Sequence, residues 1–179
     1  MSVRRLPPAE PRPIGARALK SVGDTLRPFL PGATVLDLYA GHGRLGLMAL
    51  DEGADSATFI ERHGPTASTL ARASARWKDR ARIECGDALE FLRAAAREGL
   101  RWDILFADPP FPLWTPAFAG DLWAAAASCT DEGGIFLVKH PRRVVAFLPA
   151  VGFRLWKSVN FGESQLIYLR GSRGPAEEA

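Results

Sequence analysis

The chain has 179 residues, 47% of them hydrophobic, a formal net charge of +3 and a pI near 9.2. That is enough for one well-cored domain, with no compositional break that would divide it, and the charge is too mild to prove a nucleic-acid partner. No apolar run approaches the roughly eighteen residues needed to span a bilayer, and no ligand spacing links Cys85 and Cys129 to the three histidines. A soluble, cytoplasmic protein with no membrane contact, no disulfide framework and no metal site is therefore expected.

Ser2 to Pro13 holds four prolines and three arginines and reads as an extended basic arm over residues 1–13. Across residues 1–30, six cations (Arg4, Arg5, Arg12, Arg17, Lys20 and Arg27) face only Glu10 and Asp24. Phosphate contact needs such a distribution, and a solvated tail would show it as well. Ala18, Leu19, Val22, Leu26 and Phe29 recur every three or four residues, which predicts a helix ended by Pro31-Gly32.

Thr34 to Gly46, T-V-L-D-L-Y-A-G-H-G-R-L-G, then predicts a strand, a glycine turn and a helix opening at Arg44. Further strands are predicted at Ala57–Glu61, Arg82–Cys85, Trp102–Ala107 and Gly134–Val138. Helices are predicted at Thr66–Trp77, from Asp87 through Ala96, from Pro116 to Cys129 and, shorter, near Arg143 to Leu148. Asp87-Ala-Leu-Glu90 has the spacing of a capping box. Phe153–Val159 and Gln165–Arg170 suit an antiparallel pair. Strands alternating with helices call for an α/β, Rossmann-like, mostly parallel sheet with helices on both faces, over residues 14–170, followed by a tail at 171–179. In such a sheet the ligand crevice lies beyond the carboxyl ends of the strands, where Gly41, Glu61, Asp87 and Asp108 would meet.

Gly41, Gly43 and Gly46 satisfy G-x-G-x-x-G, with Glu61 about twenty residues on, as a dinucleotide site requires. Asp37 argues against a dinucleotide. A carboxylate aimed at the crevice repels pyrophosphate but suits S-adenosylmethionine, which has no phosphate and carries an ammonium and a sulfonium. The glycines would let backbone approach this ligand, and the helix start would offer N–H groups. Glu61 is placed to accept from both ribose hydroxyls, and Asp87 from the adenine amine, with the Ala88 N–H on a ring nitrogen. Bland readings stand beside these: a solvated strand-end charge for Glu61 and a helix cap for Asp87.

Asp108-Pro109-Pro110-Phe111 is the most specific signal. Neither proline has an N–H, so carbonyls here are left without ladder partners. With the Asp108 carboxylate they form two acceptors for an amine carrying two hydrogens, and Phe111 offers a face on which a base can stack. Such acceptors pyramidalise an amine nitrogen and stabilise its developing positive charge. The protonated product is a strong acid, so His42, His63 and His140 are not required as bases.

Together, the glycine loop, Glu61, Gly86-Asp87-Ala88 and D-P-P-F resemble the class I methyltransferases acting on exocyclic amines. L-D-L-Y-A-G-H-G-R-L-G-L-M-A-L with D-P-P-F more closely resembles the bacterial small-subunit ribosomal RNA guanine-N2 methyltransferases, over roughly Arg12 to Arg170. The resemblance implies a seven-stranded sheet, S-adenosylmethionine as cofactor, and a guanine in 16S rRNA, free or in the small subunit, as target. It places Asp108, Pro109, Pro110 and Phe111 around the base and Asp37, Tyr39, Gly41, His42, Gly43, Glu61, Arg62, Asp87, Ala88 and Asp108 around the cofactor. RNA contact is expected from Arg12, Arg17 and the cluster Lys139, Arg142 and Arg143, where relatives often carry a glutamate. Trp114 is a candidate second stacking surface, with a packed loop aromatic as the preferred reading. Rival functions are methylation of an adenine amine or a protein amide, for which Asn replaces Asp108 more often, an NAD-dependent dehydrogenase, and an inactive cofactor-binding module.

Overall fold

A computed structural model describes residues 14–77, 79–144 and 152–172. The basic arm with Arg12 lies outside the described residues. In chain order the elements are α1 (Ala16–Leu26), β1 (Thr34–Leu38), α2 (Arg44–Asp51), β2 (Ser56–Glu61), α3 (Gly64–Ala73), β3 (Ala81–Cys85), α4 (Ala88–Arg97), β4 (Trp102–Ala107), α5 (Pro116–Cys129), β5 (Thr130–Pro141), β6 (Phe153–Phe161) and β7 (Ser164–Gly171). The strands form one seven-stranded sheet in the order β3-β2-β1-β4-β5-β7-β6. The first five run parallel, and β7 is inserted antiparallel between β5 and β6.

Alternation along the central strands divides the core in two. Val35, Phe59, Phe106 and Leu137 face one side, with Val22 and Leu26 of α1, Ala49 of α2 and Leu70 of α3. Leu36, Ile60, Leu105 and Phe136 face the other, with Leu92 of α4 and Leu122 and Trp123 of α5. Each fully buried side chain of this kind contributes about 1.5–3 kcal/mol. Both faces of β1 and β4 are covered, which explains the near-continuous apolar runs of these strands.

Three differences from the sequence expectations have local causes. α3 starts two residues earlier than expected because Pro65 fits its first turn, and it ends at Ala73, with Ala75–Trp77 forming a separate 3-10 turn. β5 begins at Thr130, well before Gly134, and accommodates the extra residues by a register shift opposite Trp102 and Ile104. Of the short helix expected near Arg143 to Leu148, Arg143 and Val144 lie in a turn and bend, and the rest lies outside the described residues. At the free edge, β6 carries a second irregularity between Leu155 and Lys157.

Candidate active site

The registers bring the candidate residues to one edge of the sheet. Leu38 of β1 pairs with Ile60 of β2 and Ala107 of β4, Glu61 pairs with Cys85 of β3, and Ala107 pairs with Val138 of β5. Tyr39, Glu61, Asp87, Asp108 and Lys139 therefore leave neighbouring strands at the same end. β1 connects outward to β2 while its other neighbour is β4, so the crevice opens where the strand order reverses.

Asp37 is 2% exposed, and its Oδ2 accepts from the Gly46 N–H at 2.8 Å. Burial pushes its carboxyl up to about 8; the Gly46 amide opposes that shift, while the charges of Asp108 and Glu61 add to it. A buried carboxylate held by one amide and surrounded by like charge is suited to a cationic ligand. The three glycines divide in function. Gly41 has φ +55° and open space where a Cβ would stand, so it faces the crevice. A Cβ at Gly43 would strike Leu70, and one at Gly46 would strike the Phe59 ring and lie 3.1 Å from Asp37 Oδ2. These two are packing glycines, which corrects their reading as points of ligand approach. The Gly43 N–H is also spent on the Ala40 carbonyl at 2.7 Å, and the Gly46 N–H on Asp37. Tyr39 holds the turn with φ +59°, in the left-handed region that a non-glycine residue seldom adopts.

Glu61 pins the loop. Its Oε2 accepts from the Gly41 N–H at 2.9 Å and its Oε1 from the His63 N–H at 2.8 Å. One lone-pair site on each oxygen is left, the number a vicinal diol uses. Asp87 caps α4, with Oδ1 accepting from Leu89 N–H at 2.9 Å and Glu90 N–H at 3.0 Å. Its other oxygen and the Ala88 N–H are not used in that cap, so the cap and an adenine contact are compatible. His42 and Arg62 are exposed beside Gly41 and Glu61. A buried acid, an open glycine turn and two carboxylates with spare acceptor sites match the ammonium, ribose and adenine amine of S-adenosylmethionine.

At the other end, no hydrogen bond among the described residues ends on the Pro109 carbonyl, whereas the Pro110 carbonyl accepts from Leu113 N–H at 3.0 Å and closes a 3-10 turn. Of the two proline carbonyls, the available one is thus that of Pro109, next to the Asp108 carboxylate. Phe111 is exposed. Both oxygens of Asp108 accept from Lys139 Nζ, at 2.8 and 3.0 Å, and the side chains are 20% and 13% exposed. Lys139 therefore enters the crevice, which corrects its assignment to a phosphate-facing cluster. Burial holds the Asp108 carboxyl above the ordinary carboxylate range, and the Lys139 charge pulls it down.

The other two members of that cluster diverge from Lys139. Arg142 donates to the Gly162 carbonyl at 3.0 Å and Arg143 lies 3.6 Å from Glu163, so both brace the β6–β7 turn with exposed side chains. Arg17 is exposed in the first turn of α1, whose start is tied to the crevice side by Arg44 donating to the Ile14 carbonyl at 2.6 Å. Trp114 takes the packed reading and not the stacking one. It is 7% exposed and packs on His140 at 4.4 Å, Phe118 at 5.6 Å and Trp123 at 6.1 Å between ring centroids. His140, 2% exposed with its pKa lowered by burial, is likewise structural. Among the described residues no group of three or more His, Cys, Asp or Glu could hold a metal ion, and no helix is long and apolar enough to cross a membrane.

Comparison with known proteins agrees with this architecture. The family model described as conserved hypothetical protein 95 matches residues 2–170. Ribosomal RNA small subunit methyltransferase D of Escherichia coli (strain K12) is 38% identical over 177 residues, covering 90% of this chain and 88% of that protein. The namesake from Haemophilus influenzae is 31% identical over 103 residues, covering 56% of this chain and 53% of its own. Among solved structures, the putative methyltransferase yhhF from Escherichia coli superposes with a TM-score of 0.78 at 27% identity, covering 94% of this chain and 92% of that one. The same fold extends to SMU.776, a putative methyltransferase solved in complex with SAH, with a TM-score of 0.66 at 16% identity, covering 83% of this chain and 49% of that one. With the family model spanning nearly the whole chain and the Escherichia coli protein matching over most of both lengths, this chain belongs to the ribosomal RNA small subunit methyltransferase D family.

Proposed function

We propose that this chain transfers the methyl group of S-adenosylmethionine to the exocyclic N2 amine of a guanine in 16S rRNA. The observation that supports this reading is that the Asp108 carboxylate lies near enough to Asp37 for its charge to act there, beside a Pro109 carbonyl that accepts no hydrogen bond among the described residues. S-adenosylmethionine supplies an electrophilic methyl group. Asp37, through its buried carboxylate, would hold the ammonium; Glu61 would take the ribose diol, and Asp87 with the Ala88 N–H the adenine edge. Asp108 and Pro109 would accept the two N–H bonds of the target amine, drawing its lone pair out of conjugation and stabilising the positive charge that develops on nitrogen. Phe111 would stack against the base, which must leave its helix at a cost of a few kcal/mol if the target is paired. Holding both reactants in one crevice can remove roughly 7–11 kcal/mol of barrier. Exposed Arg17, Arg62, Arg142 and Arg143 supply cations for phosphate contact around this edge.

Labelled methyl should pass from S-adenosylmethionine to naked 16S rRNA or to small ribosomal subunits, and nucleoside analysis should recover it as N2-methylguanosine. Recovery in adenosine, in DNA or in protein would overturn the substrate assignment.

A further inference from the structure

The transfer just described leaves Lys139 without a role, although it makes both hydrogen bonds received by the Asp108 carboxylate. β4 and β5 pair up to Ala107 and Val138, so Asp108 and Lys139 are the next residues of adjacent parallel strands. Nζ bridges Oδ1 at 2.8 Å and Oδ2 at 3.0 Å in a largely buried setting, and lies 5.7 Å from the Phe111 ring centroid. The charges around Asp108 are not otherwise favourable to an anion. Asp37 of β1 holds its proton up to about pH 8 in the free protein and Glu61 ends β2, so neither offers a positive charge; Lys139 comes from β5, and Pro109, Pro110 and Phe111 in its own loop carry no charge. A protonated Asp108 would present a donor to an amine that also donates. Its carbonyl oxygen alone would still accept, without the negative charge that stabilises the developing cation; the anion accepts through either oxygen and supplies that charge.

We propose that Lys139 is a positioning residue for methyl transfer: its ammonium keeps Asp108 an anion with both oxygens fixed, ready to accept from the target amine. This rests on the reading of Asp108 as the amine acceptor. A carboxylate has about four lone-pair sites. The ammonium takes one on each oxygen and leaves one on each, so the base can bind without expelling the lysine. Lysine suits this task because its charge is compact and its stem flexible, and the ammonium can pivot around the carboxylate as the base enters.

The test compares the full chain with Lys139→Met and Lys139→Arg. Carboxyl-carbon NMR of the cofactor-free protein should show the Asp108 titration moving up by about one pH unit or more in Lys139→Met, since an opposite charge at this distance shifts a carboxylate by roughly one to three units. Lys139→Arg should restore most of that shift. Methyl transfer by Lys139→Met should fall about tenfold or more at pH 6 and recover as the pH rises, while the affinity for S-adenosylmethionine stays within about threefold. An unmoved Asp108 titration in Lys139→Met would overturn the proposal, as would an equal loss of transfer at every pH without rescue by arginine, which marks a structural role. A titration that moves as expected, together with methyl recovered on adenosine, would uphold the pairing and overturn only the guanine reading.

Discussion

The two ends of the crevice are built by different means. At the proposed cofactor end the acids are fastened to backbone: Asp37 to Gly46, Glu61 to Gly41 and His63, and Asp87 to Leu89 and Glu90. At the acceptor end the one acid is fastened to a side chain from the neighbouring strand. Backbone amides persist through any side-chain substitution short of proline and carry no titrating charge, so the first end is set once the chain folds. The second depends on one replaceable cation, and there a relative with a different residue at position 139 would acquire different electrostatics.

Substitution at Asp108 probes this contrast with the largest expected effect. Asp108→Ala should lower methyl transfer by about a hundredfold to a thousandfold, comparable to removing a preorganised polar group from a transition-state site, with little change in cofactor affinity. Transfer near the wild-type rate would show that the two ends are not divided as described.

Two aromatics three residues apart sharpen it next. Trp114→Ala should destabilise the fold by about 3–5 kcal/mol, read as a drop in melting temperature, because the ring is packed under α5. Phe111→Ala should leave melting nearly unchanged and weaken RNA binding by about 1–3 kcal/mol, the usual contribution of stacking on one base. Equal melting losses would place Phe111 in the core and deprive the acceptor end of its stacking face.

The smallest effect is a proton count. Asp37 in the free protein holds its proton up to about pH 8, and a cationic ligand favours the anion, so binding S-adenosylmethionine near pH 7 should release protons. Calorimetry in buffers of different ionisation enthalpy should measure a release approaching one proton, absent in Asp37→Asn. The same shift has a sign for stability. Because the folded protein binds this proton more tightly than the unfolded chain, the contribution of Asp37 is fully present below pH 4 and is lost as pH rises through about 8. Asp37→Asn should therefore gain melting temperature over the wild type as the pH increases.

The arrangement of residues at the proposed cofactor end was legible in the sequence because its relations are local. Asp37 and the glycines fall within ten residues, Asp87 caps the helix it precedes, and Glu61 ends a strand whose alternation is plain. Even there, the division of labour among Gly41, Gly43 and Gly46 was hidden, since it depends on Phe59 and Leu70 arriving from β2 and α3. The acceptor end was legible only in its first strand. D-P-P-F marks the acid and the carbonyl, but its cation lies 31 residues away and is assigned only by the β4/β5 register. A signal was available: position 139 is the first charged residue after an apolar strand predicted parallel to the one that ends at Asp108. Trp114 is packed as preferred, although its loop position alone gives no sign of burial; α5 and His140 close over it.

The irregularity in β6 has a consequence for the molecule in a crowded cell. An outermost strand shows a row of unpaired amides and carbonyls to any other strand, and a long flat one invites sheets to join edge to edge. Here the bulge between Leu155 and Lys157 breaks the repeat of that row, and Arg154 and Lys157 place charge along it. That edge of the sheet is thereby a poor template for the strand of a second copy.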